Sequence, residues 1–206
     1  MKKFVIAGAG GFGREVYSYI LNAKSPESIR GFLDDNPNAL EGFGICHKII
    51  SDFASYEPLE GDTVIFAVAN PKIKKNIADI LESKGAKFGT FIHQSSVLGL
   101  NVKISEGAVI APFCVIGSNV EIGSFASINT SVKISSGAKA GDFCTISSQC
   151  VVGGNATLKD GAFMASSSIL ESGMTMFENS TLGINSHADK DVEKSRCAFG
   201  NPAEYL

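Results

Sequence analysis

Residues 104–122 read Ile104-Ser105-Glu106-Gly107-Ala108-Val109-Ile110-Ala111-Pro112-Phe113-Cys114-Val115-Ile116-Gly117-Ser118-Asn119-Val120-Glu121-Ile122, with isoleucine at every sixth position. The phase extends both ways without an insertion, from Ile92 and Leu98 through Ile128, Ile134, Ile146, Val152, Leu158, Met164, Leu170 and Met176 to Leu182. Ala140 is the one small residue in the series. A helix repeats at 3.6 residues and a simple strand at 2, so neither explains a period of six. A three-sided prism does: each hexapeptide forms one flat face, three make a coil of about 18 residues, and coils stack as parallel strands about 4.8 Å apart. Each aliphatic points inward. A small residue follows it at most corners, and a second small inward register holds Ala108, Cys114, Ala126, Cys144 and Cys150, so those cysteines read as compact core groups.

Residues 1–90 follow another rhythm. Lys3–Ala7 reads as a buried strand, Gly8-Ala9-Gly10-Gly11-Phe12-Gly13 as a glycine loop, and Arg14–Ala23 as a helix. Ile29–Leu33 and Thr63–Ala69 read as further strands. A helix follows from Lys72 to Lys84, with Ile73, Ile77, Ile80 and Leu81 as its apolar face and Lys72, Lys74 and Lys75 on its wet face. Alternating strand and helix predicts a small Rossmann-like parallel α/β sheet ahead of a β-helix over residues 91–206 that ends in a C-terminal cap.

The loop satisfies GxGxxG between a strand and a helix. In that setting small residues let the backbone approach a phosphate and the helix N-terminus offers free N–H groups. Asp34 and Asp35 follow a little over 20 residues later, at the end of the second strand, which raises the motif above a lone match. About 90 residues supply one mononucleotide-binding half, which fits a single nucleoside diphosphate better than NAD. An NAD-dependent oxidoreductase stays open as an alternative at this point, as does a loop whose glycines only permit a tight crossing.

Charge and composition bound the rest. The 18 basic and 21 acidic side chains of the 206 residues give a net charge of −3, which offers no footprint for nucleic acid. No apolar run approaches the roughly 20 residues of a membrane span, and the expectation is a cytoplasmic protein. Five cysteines without a CxxC pair predict neither a disulfide framework nor a zinc ribbon, and Cys46-His47 lacks further metal-type neighbours, so no metal is expected.

Together the glycine loop, Phe32-Leu33-Asp34-Asp35, Phe91-Ile92-His93, the hexapeptides, Ile128-Asn129-Thr130, Lys190-Asp191-Val192 and Gly200-Asn201-Pro202-Ala203 resemble the sugar O-acyltransferase family of the sialic acid O-acetyltransferase type. This family includes bacterial nucleotide-sugar N-acetyltransferases. The resemblance implies a homotrimer of left-handed β-helices, acetyl-CoA between adjacent prisms, and a nucleotide-linked sugar on the N-terminal half. It places Gly8, Gly10, Gly11, Phe12 and Gly13 at the pyrophosphate and Asp34 and Asp35 at the base. Asn70 and Lys72, which follow the third strand, could approach a phosphate. Backbone groups of Gly154, Ala165 and Gly183 are implied to meet the oxyanion and pantetheine.

The chain departs from the family where the base belongs. Asn129-Thr130 are present, but Ser135-Ser136 replace the family's Glu-His, Thr145 replaces a later His, and Phe12 replaces the loop's His. A sugar hydroxyl needs a positioned base, worth about 10² to 10⁴ in rate. An amine with a pKa of about 8 is already partly neutral at physiological pH. The departure therefore predicts N-acetylation of a nucleotide-linked amino-dideoxy sugar of UDP- or dTDP-4-amino-4,6-dideoxyhexose type. Ser136, with Asn129 or Thr145, would orient the amine and Gly154 N–H would hold the oxyanion. The alternative from the same resemblance is a silent relative that binds the nucleotide sugar.

Overall fold

A computed structural model describes residues 3–23 and 26–205. Strands β1 (Lys3–Ala7), β2 (Ile29–Leu33), β3 (Ile49–Ser51), β4 (Asp62–Phe66) and β5 (Phe88–Gly89) form one parallel sheet in the order β3-β2-β1-β4-β5. Helix α1 (Gly11–Ala23) connects β1 toward β2, and α2 (Pro71–Ser83) connects β4 to β5. The short β3 was not legible in the sequence, because Ile49 and Ile50 are followed by no alternating run. It pairs with β2 at Phe32 and Leu33. The sheet is buried on both sides, with Val5, Ile6, Phe32, Leu33, Val64 and Ile65 almost fully covered.

From Phe91 onward the chain is a left-handed parallel β-helix with three distinct faces. Register confirms the coil length: Val97 pairs with Val115, Val115 with Lys133, and Lys133 with Val151, a step of 18 residues each time. The inward aliphatics and the small register interlock in one core from Ala108 to Ala198, and Cys114, Cys144 and Cys150 are wholly buried in it. Burial pushes their thiols above the usual range, that of Cys144 to about 12. The coils continue past Leu182 with His187–Ala188, and a closing pair, Cys197–Gly200 and Ala203–Tyr205, caps the prism.

Corners turn through a left-handed residue three positions after each inward residue of the series from Leu98 to Leu182. Asn101, Asn119, Asn155 and Asn179 take it, but so do Phe113, Phe125 and Phe143, at φ of 62°, 57° and 59°. Such a conformation is costly for a bulky side chain. At Phe125 packing offsets it: the ring stacks on Phe143 at 5.2 Å and meets Phe66 and Phe88 of the sheet edge-on at 5.2 and 4.8 Å. This aromatic cluster seats the α/β half on one prism face.

The faces therefore differ in chemistry. The docked face carries Val109, Ser127 and Thr145 outward, all buried beneath the α/β half. The charged face bears Lys103, Glu121 and Lys139, with Glu121 paired to both lysines at 3.1 and 3.2 Å. The third, apolar face presents Val97, Val115, Lys133, Val151, Ile169 and His187. Val97, Val115 and Ile169 are 61%, 48% and 40% exposed.

Candidate functional site

The glycine loop lies at the carboxyl ends of β1 and β4, where ligands of open parallel sheets bind. Its glycines do different work. A Cβ on Gly13 would stand 1.9 Å from Gly8 O, so Gly13 permits the close crossing of helix and loop. Gly10 and Gly11 face open space, with nothing within 4 Å of where a Cβ would be. Ala9 N–H donates to Asp34 Oδ2 at 2.8 Å, and Asp34 Oδ1 accepts Asn36 N–H at 2.9 Å. Asp34 thus organises the loop. Among the described residues the N–H groups of Gly10, Gly11, Phe12 and Gly13 have no backbone acceptor, as expected for the first turn of a helix. A cavity of about 350 Å³ opens there, lined by Gly8, Gly10, Gly11, Phe12, Asp34, Asp35, Phe53 and Asn70 among others. Asp35 is exposed and uses one oxygen to accept Phe53 N–H at 3.3 Å.

A second cavity, about 360 Å³, shares Ala69 and Asn70 with the first and runs over the docked face past Lys72, Gly161, Phe163, Asn179 and Thr181. Asn70 caps α2, its side chain accepting Lys72 N–H at 3.0 Å, and Pro71 occupies the first turn. Two side chains fix this junction through four hydrogen bonds. Thr145 Oγ1 donates to Ala69 O at 2.8 Å. Lys74, fully buried, donates to Phe125 O at 3.1 Å, to Ser127 Oγ at 2.9 Å and to Cys144 O at 2.9 Å. Burial in this dry junction drops its ammonium to about 7.

The wet-face reading of Lys74 is therefore wrong. The signal was present: Lys74 lies three, four and seven positions before Ile77, Ala78 and Leu81, the other buried residues of α2. Ile73, assigned to the apolar face, is 48% exposed and instead lines the glycine-loop cavity.

The expected catalytic group does not converge within one chain. Seven residues separate Asn129 from Ser136 and nine separate Ser136 from Thr145, whereas a coil needs 18 to return to the same edge. Asn129 stands at the edge between the docked and apolar faces. There Thr130 Oγ1 meets Tyr19 OH of α1 at 3.2 Å, and Asn129 Oδ1 is buried with no partner. Burial raises the Tyr19 phenol above its usual range. His93, two coils away on the same edge, accepts Ser95 N–H on Nδ1 at 3.2 Å and sets its ring 5.7 Å from that of Tyr19. Ser136 is exposed on the opposite edge of the apolar face, stacked on Gly154. Thr145 lies on the docked face with its hydroxyl committed to Ala69, so it cannot assist Ser136. The N–H groups of Gly154, Ala165 and Gly183 each have a partner within the chain. Gly154 N–H donates to Ser172 Oγ at 3.1 Å, while Ala165 and Gly183 N–H donate along the ladder to Leu182 O and Ala198 O at 2.9 and 2.8 Å. No group of three or more His, Cys, Asp or Glu side chains able to hold a metal ion occurs among the described residues, and no helix there is long and apolar enough to cross a membrane.

A hexapeptide prism with a glycine-loop α/β half docked on one face defines an acyltransferase of the left-handed β-helix class. Residues 3–81 match the PglD N-terminal domain and residues 89–130 the bacterial transferase hexapeptide of six repeats. It is 25% identical over 181 residues to GDP-perosamine N-acetyltransferase of Escherichia coli O157:H7, covering 84% of this chain and 80% of the relative. It is 31% identical over 116 residues to UDP-N-acetylbacillosamine N-acetyltransferase of Bacillus subtilis (strain 168), covering 53% and 51%. Its fold is that of the acetyltransferase domain of PglB from Neisseria gonorrhoeae FA1090, with TM-score 0.90, 21% identity and full coverage of both chains. The same domain in complex with acetyl coenzyme A gives 0.88 and 22%, covering 100% of this chain and 99% of that one.

Proposed function

We propose that the protein is an acetyl-CoA-dependent N-acetyltransferase acting on the amine of a nucleotide-linked amino-dideoxy sugar, and that it works as a cytoplasmic homotrimer without a histidine base. One observation carries the reading: among the described residues the N–H groups of Gly10, Gly11 and Phe12 lack a backbone acceptor, and these residues line a cavity that adjoins a second one on the hexapeptide prism. Gly10, Gly11, Phe12 and Gly13 would hold the diphosphate, with Lys72 and the Asn70-capped start of α2 on its far side. Asp34 holds the loop in shape, and Asp35 meets the ribose or base. The names of the curated relatives, one acting on a GDP-linked and one on a UDP-linked amino sugar, support the substrate class. The nucleoside is therefore tested across UDP, dTDP and GDP.

The apolar face supports the trimer. Ser136 edges this face on one side and Asn129 on the other, so a threefold closure on it sets Ser136 of one copy beside Asn129 and Thr130 of the next. Acetyl-CoA supplies an activated thioester when bound in that cleft. Asn129 Oδ1, a buried acceptor lacking a donor, suits an amine N–H, and Ser136 from the other copy would orient the amine or pass its proton to water. Because Gly154 N–H is held by Ser172, it can serve an oxyanion only if that bond opens.

Steady-state acetylation, followed by separation of products, across 3-amino and 4-amino sugars linked to UDP, dTDP and GDP tests the reading. One nucleotide sugar should be acetylated with kcat/KM at least about 10⁴ M⁻¹s⁻¹, the lower end for enzymes. Binding of a nucleotide sugar without turnover of any panel member would reject it in favour of a silent binding protein.

A further inference from the structure

Away from the glycine-loop cavity, three side chains with reactive or titratable groups converge where the buried face of α1 meets the loop that carries Cys46 and His47. Tyr17 OH lies 3.3 Å from Cys46 Sγ and 3.0 Å from His47 Nδ1, and Cys46 Sγ lies 3.5 Å from the same nitrogen. Cys46 is exposed, whereas Cys114, Cys144 and Cys150 are sealed in the prism and Cys197 is half-buried. The tyrosine is fixed from behind: its ring packs on Phe32 at 5.3 Å and edge-on against His47 at 5.5 Å. The acyl-transfer reading uses none of these groups.

We propose that Cys46, His47 and Tyr17 form a reactive-thiol site at which Cys46 exchanges with low-molecular-weight disulfides. The thiol proton passes from Sγ to His47 Nδ1. Tyr17 OH, which has one proton to place, then turns it from Nδ1 toward the sulfur and stabilises the developing thiolate. Desolvation, followed by contact with Cys46, raises this phenol to about 12, so it stays a donor throughout the neutral range. The thiolate attacks one sulfur of RSSR. A new Sγ–S bond forms as the S–S bond of the reagent breaks, and the departing thiolate takes up the proton from the imidazolium through solvent. The net change is protein-SH plus RSSR to protein-S-SR plus RSH, so atoms and electrons balance without another reactant.

Proximity to a positioned base separates this thiol from an ordinary surface cysteine, of which only a few per cent is ionised at pH 7. The site is independent of acyl transfer, and its test does not use that activity. The whole protein is exposed to oxidised glutathione and the adduct mapped by mass spectrometry, with rates measured from pH 5.5 to 9 against a short unstructured cysteine peptide. One adduct per chain, on Cys46, should form about tenfold faster than on the peptide at pH 7. His47→Gln should bring the rate back to the peptide's and change its pH profile, and Tyr17→Phe should slow it about threefold while Cys46→Ser abolishes it. A rate equal to that of the peptide, first reaction at Cys197, or a His47→Gln profile identical to that of the unaltered protein would each overturn the proposal. Iodoacetamide, which reports thiolate without a disulfide partner, gives a second reading if either variant folds poorly.

Discussion

Replacing Lys74 with methionine keeps the length of a side chain that is 0% exposed and removes its charge, so it isolates the cost of burying an ammonium at the junction. In the unfolded chain this amine holds its proton to about 10.5, but in the folded protein burial brings that value to about 7. Between the two the unfolded state binds the additional proton, so stability must rise with pH, by up to about 1.4 kcal/mol per unit. The contribution is complete above the unfolded value and lost as pH falls through the folded one. From pH 7.5 to 9.5 the lysine should therefore add about 3 kcal/mol to the stability of the unaltered protein and nothing to that of Lys74→Met. The variant has its own cost. Phe125 O loses its donor, worth about 1–3 kcal/mol, while Ser127 and Cys144 O can pair with each other or with backbone N–H. The two proteins should thus be within about 2 kcal/mol at pH 7.5 and diverge in favour of lysine toward pH 9.5. Urea unfolding by circular dichroism at one protein concentration measures the difference curve, in which all other titrating groups cancel. A flat difference curve would mean that water reaches the amine and that the junction is not the dry seam described above.

The loop glycines should separate by role. Gly13→Ala, whose Cβ meets Gly8 O at 1.9 Å, should cost about 3 kcal/mol of stability, whereas Gly11→Ala should leave the melting temperature unchanged and weaken nucleoside diphosphate binding about tenfold by calorimetry. Thr145→Val should lower stability by about 1–2 kcal/mol through the lost bond to Ala69 O and keep kcat within about twofold; a collapse in kcat without a change in melting temperature would restore Thr145 to the chemistry. On the proposed trimer, Val115→Glu puts a carboxylate on the apolar face and should shift the sedimentation coefficient from trimer to monomer with loss of acetylation, because the Ser136 and Asn129 edges would then never meet.

Some parts of the site could be read from the chain because their cause is local. The β1 strand, the glycine loop and the inward cysteines follow from period, backbone freedom and side-chain size. Other parts were hidden because their cause is distant. Lys74 carries a side chain as water-loving as those of its exposed neighbours Lys72 and Lys75, and the acceptors that make its burial tolerable, Phe125 O, Ser127 Oγ and Cys144 O, lie 51, 53 and 70 residues further along. Phe125 and Phe143 do not look like corner residues, since the strain of a left-handed conformation is offset at Phe125 by rings far off in sequence, Phe66 and Phe88 of the other half, and by the stack of the two on each other. The family pattern aligned Asn129, Ser136 and Thr145 as neighbours in a motif, yet one-third turns of the coil carry them to two edges and a face.

By itself the sequence determined a prism of hexapeptides and a phosphate-type loop, because a strict period of six and a GxGxxG crossing each admit few backbone paths. The tertiary structure decided which prism face the α/β half covers, which faces are left charged or apolar, and which backbone donors are already used. Those outcomes depend on which surfaces meet when two independently patterned halves dock, and contact across tens of residues leaves no periodic trace in the chain.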